Sequence, residues 1–209
     1  QVFVAEGHKL VGDLLGHFPC KLLIATSNWL KMNHSATANE IIEVTQEELS
    51  RASLQKTPQE VLAVFVQPSY DLNPEVIKSS LCLALDDVQD PGNLGTIIRL
   101  ADWFGIEHIF CSTGTADVYN PKTVQATMGA LARVKVHYCS LPQLIESLTD
   151  IPVYGTFLNG NIIYTESLSA HGLIVMGNEG KGVSLEVEKL INNKLYIPNY
   201  PQERETPEI

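Results

Sequence analysis

The strongest constraint on the fold is an alternation that begins at residue 81. Apolar runs suited to strands at 81–86, 108–112, 134–138, 153–158, 173–177 and 195–198 are separated, with one exception, by stretches of helical spacing at 93–104, 121–131, 141–148 and 184–191. A connection long enough to hold a helix returns the chain in the same direction. The pattern therefore predicts an α/β domain with a parallel sheet and helices on its faces. Such sheets bind ligands outside the carboxyl ends of their strands, so the loops after Asp86, Leu158 and Gly177 are the first places to look for a site.

Ahead of this domain, QPSYDLNPEV (67–76) breaks the apolar periodicity with two prolines, Asn and Asp. It marks a linker at 71–80 between a small α/β unit at 1–70 and a larger domain at 81–209. In the small unit the patterns predict a helix over 6–15, strands over 21–26 and 40–44, a short acidic helix from Thr45 and a strong strand over 61–67. With 209 residues, 44% of them apolar, the chain can bury a sizeable core. No run reaches the ~18–20 apolar residues of a membrane span, and the start lacks the layout of a signal peptide, so a cytoplasmic protein is expected.

Cys20, Cys82, Cys111 and Cys139 each sit in or beside an apolar run, without a CxxC pair, and are read as buried reduced thiols. The six histidines show neither HxH nor HExxH spacing, so no metal site is expected. The net charge of −10 argues against a general nucleic-acid binder, whose affinity would rest on lysine and arginine.

Two loops concentrate polar groups. In LDDVQDPGNLGTIIRLA (85–101), Leu94, Ile97, Ile98 and Ala101 form a core-facing stripe, while Gly95, Arg99 and Asp102 share another face. One reading makes Asn93 the helix cap, Asp90 a favourable charge at its start and Arg99 a solvated cation. The other notes that Gly95 costs about 1 kcal/mol against alanine in a helix, and takes it as room for a ligand or RNA backbone. In GLIVMGNEGKGV (172–183), a buried strand runs into a loop with Gly177, Gly180 and Gly182 around Asn178, Glu179 and Lys181. Such a loop can cradle a ligand with its backbone, and Gly182 after Lys181 excludes a Walker A loop. In VYNPKTVQATMGALARVKV (118–136), Ala126, Gly129 and Ala130 suggest close packing against another helix or subunit, and Lys122, Arg133 and Lys135 form a candidate basic strip.

Taken together, DPGNLGTIIRLA, KTVQATMGALARV, LIVMGNEGKGVS and LYIPN, in that order over 81–199, resemble the SpoU (TrmH) branch of the SPOUT RNA methyltransferases. The segment QVFVAEGHKLVGDLL resembles the start of the small L30e-like substrate-binding domain that many members carry. The resemblance implies an α/β catalytic domain with a deep trefoil knot, S-adenosylmethionine bound in the knot, a homodimer, and methylation of a ribose 2′-hydroxyl in rRNA or tRNA. By motif, Asn93 and Arg99 match the family's first catalytic pair and Glu179 the acid of its second motif. Gly177, Asn178, Gly180, Ile197 and Pro198 match positions that line the cofactor, and Thr156 and Leu158 are further cofactor candidates.

A guanidinium stays protonated in proteins, so Arg99 is read as a clamp on an RNA phosphate that orients the hydroxyl, with Asn93 and Glu179 fixing its position. The family's third motif, close to Ser-Leu-Asn, and its final knot helix do not appear in IPNYPQERETPEI; further chain carrying both is expected. Two other readings stay open at this point: a non-catalytic RNA-binding relative of the same fold, and an α/β enzyme for a small nucleotide-like substrate.

Overall fold

Residues 1–66 form β1 (Val2–Glu6), α1 (His8–Leu14), β2 (Cys20–Ala25), α2 (Ser27–Met32), β3 (Glu40–Glu43), α3 (Gln46–Ala52) and β4 (Val61–Val66) in the computed structural model, which describes residues 1–199. The sheet order is β1-β4-β2-β3, antiparallel except for the β2/β3 pair. By contacts the chain divides into two units, and the first also takes in Asp90–Trp103 and Asp117–Val134. These segments contribute α4 (Pro91–Trp103) and α5 (Pro121–Ala126).

Two elements of this unit were not read from sequence. β1 pairs with β4 from Val2↔Val66 to Glu6↔Leu62, and the helix expected over 6–15 follows it as α1, His8–Leu14. α2 is too short to show a period; Thr26 Oγ1 caps it by accepting from Trp29 N at 3.3 Å, and buried Trp29 anchors it. The acidic helix from Thr45 is present as α3, opened by a Thr45/Glu48 capping box. Phe3 lies 5.4 Å from Phe18, 5.5 Å from Phe65 and 5.1 Å from Tyr119 between ring centroids, so an aromatic cluster ties β1 and β4 to the residues before α5. α5 is shorter than the 121–131 expected, because Met128 (φ 52°) and Gly129 (φ 92°) adopt left-handed backbone and end it.

The second unit holds β5 (Leu81–Leu85), β6 (His108–Cys111), β7 (Lys135–Tyr138), α6 (Leu141–Glu146), β8 (Val153–Ile162), β9 (Gly172–Met176), α7 (Leu185–Glu188) and β10 (Asn193–Tyr196). They form the expected parallel sheet, in the order β10-β8-β9-β5-β6-β7. The chain runs outward from β5 to β7, then crosses to β8 on the far side, so the order reverses between β5 and β9. On one face Leu141, Leu144 and Ile145 of α6, Val187 of α7 and the following Ile191 pack on Ala84, Val153, Leu173 and Val175. Full burial of such side chains contributes about 1.5–3 kcal/mol each.

The stretch read as a linker is ordered. Asn73 Oδ1 accepts from Glu75 N at 3.1 Å, a 3-10 turn covers Pro74–Lys78, and Ile77 is fully buried in the core of this unit. All four cysteines are free; Cys20, Cys82 and Cys111 are buried as expected, and Cys139 is half-buried. Burial pushes the Cys82 thiol up to about 11. The final knot helix and third motif that the resemblance implies would lie outside the described residues 1–199.

Candidate active site

Helix α4 opens on Asp90. Its carbonyl accepts from Leu94 N at 3.0 Å and its Oδ1 from Asn93 N at 2.9 Å, with Pro91 in the first helical position. The cap is therefore Asp90 and not Asn93, which stands exposed one position short of a full turn further on. Lys122 Nζ reaches Asp90 Oδ2 at 2.8 Å, and this ammonium together with the Asn93 amide holds the carboxyl below the usual carboxylate range.

Gly95 makes room for a helix, which corrects its reading as space for a ligand or RNA backbone. It is buried, and a Cβ there would stand 2.5 Å from Ala126 Cβ and 2.6 Å from Thr123 O on α5. The small residue Ala126 serves the close helix packing inferred from sequence. Further along, Arg133 grips Asp102 with two hydrogen bonds of 2.7 Å each. Lys122 and Arg133 are thus each paired with an acid and do not form an open basic strip. Arg99, on the same helix, is exposed and has no ion pair among the described residues.

In the second unit the loops at the carboxyl ends of β5, β6 and β9 are tied together. Asp86, 6% exposed, donates its amide to Met176 O at 2.8 Å and accepts from Ser184 N at 2.8 Å through Oδ2, which anchors the start of α7. Asp87 adopts left-handed backbone (φ 58°); its N donates to Ser112 Oγ at 2.9 Å, and that hydroxyl bonds Asp87 Oδ1 at 3.0 Å. Thr115 Oγ1 lies 3.2 Å from Ser112 Oγ and donates to Leu85 O at 3.1 Å. Sequence reasoning missed this framework, although two consecutive acids at a strand end were the visible signal.

Asn178 organises the glycine-rich loop. Its Oδ1 accepts from Gly180 N at 2.9 Å and Lys181 N at 3.0 Å, and its Nδ2 donates to Asp87 O at 2.8 Å. The Asn178 and Gly182 backbones also exchange two hydrogen bonds, of 3.0 and 2.9 Å. Gly177 has to be glycine, because a Cβ would fall 2.3 Å from Gly182 C and 2.4 Å from Val183 N. Glu179 and Gly180 are exposed at the loop tip.

Parallel pairing puts the ends of β10, β8 and β9 side by side at one edge of the sheet. That brings Ile197 and Pro198, residues 177–180 and the exposed Thr156, next after the paired Gly155, to the same edge; the exposed Leu158 follows on the stretch of β8 that leaves this pairing. Leu158 (73%), Ile197 (55%) and Met176 (38%) are exposed apolar side chains in this part of the sheet. Asn93 and Arg99 belong to the first unit and Glu179 to the second.

A second polar cluster lies on β6 and β7. His108 Nδ1 is 3.1 Å from His137 Nε2, and the His137 ring stacks on Phe110 at 5.2 Å. Burial first, aided by the Lys135 ammonium, holds both imidazoles below the ordinary histidine range. Among the described residues no group of three or more His, Cys, Asp or Glu side chains could hold a metal, and no helix is long and apolar enough to cross a membrane.

With this geometry in view, the model of the SpoU rRNA methylase family matches residues 80–204. The chain belongs to the SpoU rRNA methylase family. Residues 1–63 match the MRM3-like substrate-binding domain. The chain is similar to the 23S rRNA (guanosine(2553)-2′-O)-methyltransferase RlmP of Bacillus subtilis, 33% identical over 206 residues, which span 97% of this chain and 82% of that protein. Among solved structures it resembles a TrmH-family protein from Porphyromonas gingivalis (39% identity, TM-score 0.86, covering 100% of this chain and 84% of that one). It also resembles an AdoMet-bound rRNA methyltransferase from Sinorhizobium meliloti (29% identity, TM-score 0.81, 99% and 82%). The SPOUT fold expected of this SpoU relative is the fold found.

Proposed function

We propose that this chain is an S-adenosylmethionine-dependent methyltransferase that modifies a ribose 2′-hydroxyl of rRNA. In this reading residues 1–70 form the RNA-binding domain, 71–80 the linker and 81–209 the catalytic domain. Family membership and the 2′-O-methyltransferase activity for which the B. subtilis relative is named support this activity over the non-catalytic and small-substrate alternatives. The observation that carries it is the Asn178-braced loop at the point where the strand order reverses, where open parallel sheets take their ligands.

The residues present fit S-adenosylmethionine. The exposed apolar side chains of Leu158, Met176 and Ile197 offer walls for an adenosine, and Gly177, Asn178, Gly180 and Pro198 bring backbone to the same edge. Thr156 adds a hydroxyl there. When bound, the cofactor supplies a methyl group activated by its sulfonium.

The chain supplies position. Arg99, exposed and permanently charged, clamps an RNA phosphate next to the target ribose, and Asn93 and Glu179 hold the hydroxyl in line. Fixing two reactants in a near-attack geometry supplies roughly 7–11 kcal/mol of a barrier in ideal cases. A homodimer and a cytoplasmic location complete the reading. The dimer would cover Leu100 and Trp103 on α4, which are 50% and 84% exposed.

The test is methyl transfer from labelled S-adenosylmethionine to rRNA by the full-length protein, with nucleoside mass spectrometry. A 2′-O-methyl nucleoside is expected; a base-methylated product would refute the assignment. Light scattering that returned a monomer mass would refute the dimer.

A further inference from the structure

Strand β8 departs from its neighbour and rejoins it. On β10, Asn193 and Lys194 stand opposite Tyr154 and Gly155, but the next two residues, Leu195 and Tyr196, stand opposite Asn161 and Ile162. β9 pairs with β8 only over Val153–Gly155. Residues 156–160 therefore form an excursion outside both registers. Gly160 closes it against the Leu195 backbone, where a Cβ on Gly160 would stand 2.4 Å from the Leu195 carbonyl carbon.

Thr156 and Leu158, both exposed, lie on this excursion, and half-buried Phe157 lies between them and packs on the core of the unit. The ammonium of Lys194 sits over the Phe157 ring, 4.6 Å from its centroid. It also lies 2.5 Å from Glu188 Oε1 on α7. Lys194 and Glu188 are only 33% and 30% exposed, so water screens this contact less than an ordinary surface pair. One cation thus joins a helix, the last strand of the sheet and the middle of a segment that has left its ladder.

We propose that Lys194 is a positioning residue for cofactor binding: held by Glu188, it pins Phe157 and so fixes the excursion that presents Thr156 and Leu158. This rests on the methyltransferase reading above. Lys194 acts through Phe157 and does not touch the reacting atoms. Its loss frees the excursion, and the ordering of those residues then weakens each binding event. The effect falls on affinity for S-adenosylmethionine. It does not fall on the rate at saturation or on affinity for RNA.

The experiment is calorimetric titration of the full-length protein with S-adenosylmethionine, alongside steady-state methylation. Lys194→Met keeps the aliphatic stem and removes the charge; it is expected to raise Kd and KM for the cofactor about 5- to 10-fold while kcat and the KM for RNA stay within about 2-fold. Lys194→Arg keeps a cation over the ring and is expected to restore binding. Phe157→Leu is expected to match Lys194→Met, and the double variant to add nothing further. Unchanged Kd in Lys194→Met, failure of Lys194→Arg to rescue, or an equal fall in kcat overturns the proposal. Phe157→Tyr keeps the ring, and weak binding by that variant also counts against it. Absence of cofactor binding by the wild-type protein would instead overturn the functional reading, and this inference with it.

Discussion

Replacing Gly95 with alanine sets two effects of opposite sign against each other. Alanine is better than glycine inside a helix by about 1 kcal/mol, so an exposed site would gain stability. At Gly95 the added methyl meets Ala126 Cβ at 2.5 Å and Thr123 O at 2.6 Å, well inside the roughly 3.5–4.0 Å of a normal carbon–carbon contact. The Thr123 carbonyl cannot simply swing away, because it accepts from Thr127 N at 3.0 Å. Overpacking costs about 1–3 kcal/mol, and a clash against backbone belongs at the upper end. The net expectation is a loss of about 2 kcal/mol, or about 4–8 °C in Tm for a chain of this size, read by differential scanning calorimetry. Adding Ala126→Gly should restore part of the loss, since it removes one of the two clashes and leaves the carbonyl. A Gly95→Ala protein as stable as the wild type, but weak in RNA or cofactor binding, would refute the packing account and return Gly95 to the ligand.

Arg99→Lys keeps the charge and loses the planar two-pronged donor; with no ion pair lost among the described residues, Tm should hold while kcat for methylation falls at least roughly tenfold, and near-normal methylation would refute the clamp. Asn178→Ala removes three hydrogen bonds of 2.8–3.0 Å; at about 0.5–1.5 kcal/mol each, partly replaced by water, cofactor Kd should rise roughly tenfold or more, and unchanged calorimetric affinity would count against the braced loop. His108 and His137 are held below their ordinary range, so the unfolded chain takes up protons first as pH falls. Their contribution is neutral above the unfolded value of about 6.5 and becomes destabilising below it, through the lowered folded values. Tm should therefore fall from pH 7 to pH 5, and His137→Gln should flatten that slope; an identical slope would exclude the pair as its source.

Much of the fold was legible because its signals are local. Strand-like runs separated by helical spacing were enough for a parallel sheet, and the acidic helix at Thr45 carried its own capping box. Segments too short to show a period were not legible: α2 spans only Ser27–Met32 and owes its place to buried Trp29, and β1 became a strand by pairing with β4, far along the chain. The break in α5 at Met128 and Gly129 was hidden too, since left-handed backbone at a methionine has no sequence signal.

The candidate site divides in the same way. Residue types and their order determined the family, the cofactor class and the residues to examine, because motif chemistry is written in side-chain identity and spacing. Tertiary structure decided what those residues do at rest. It made Asp90 the helix cap in place of Asn93, turned Gly95 toward α5, engaged Lys122 and Arg133 with acids, and left Arg99 exposed. It also recruited Asp86, Asp87 and Ser112 to brace the loop that Asn178 closes. Most of these depend on a partner remote in the sequence. A one-dimensional pattern records which groups are available, and only packing determines which of them are already taken.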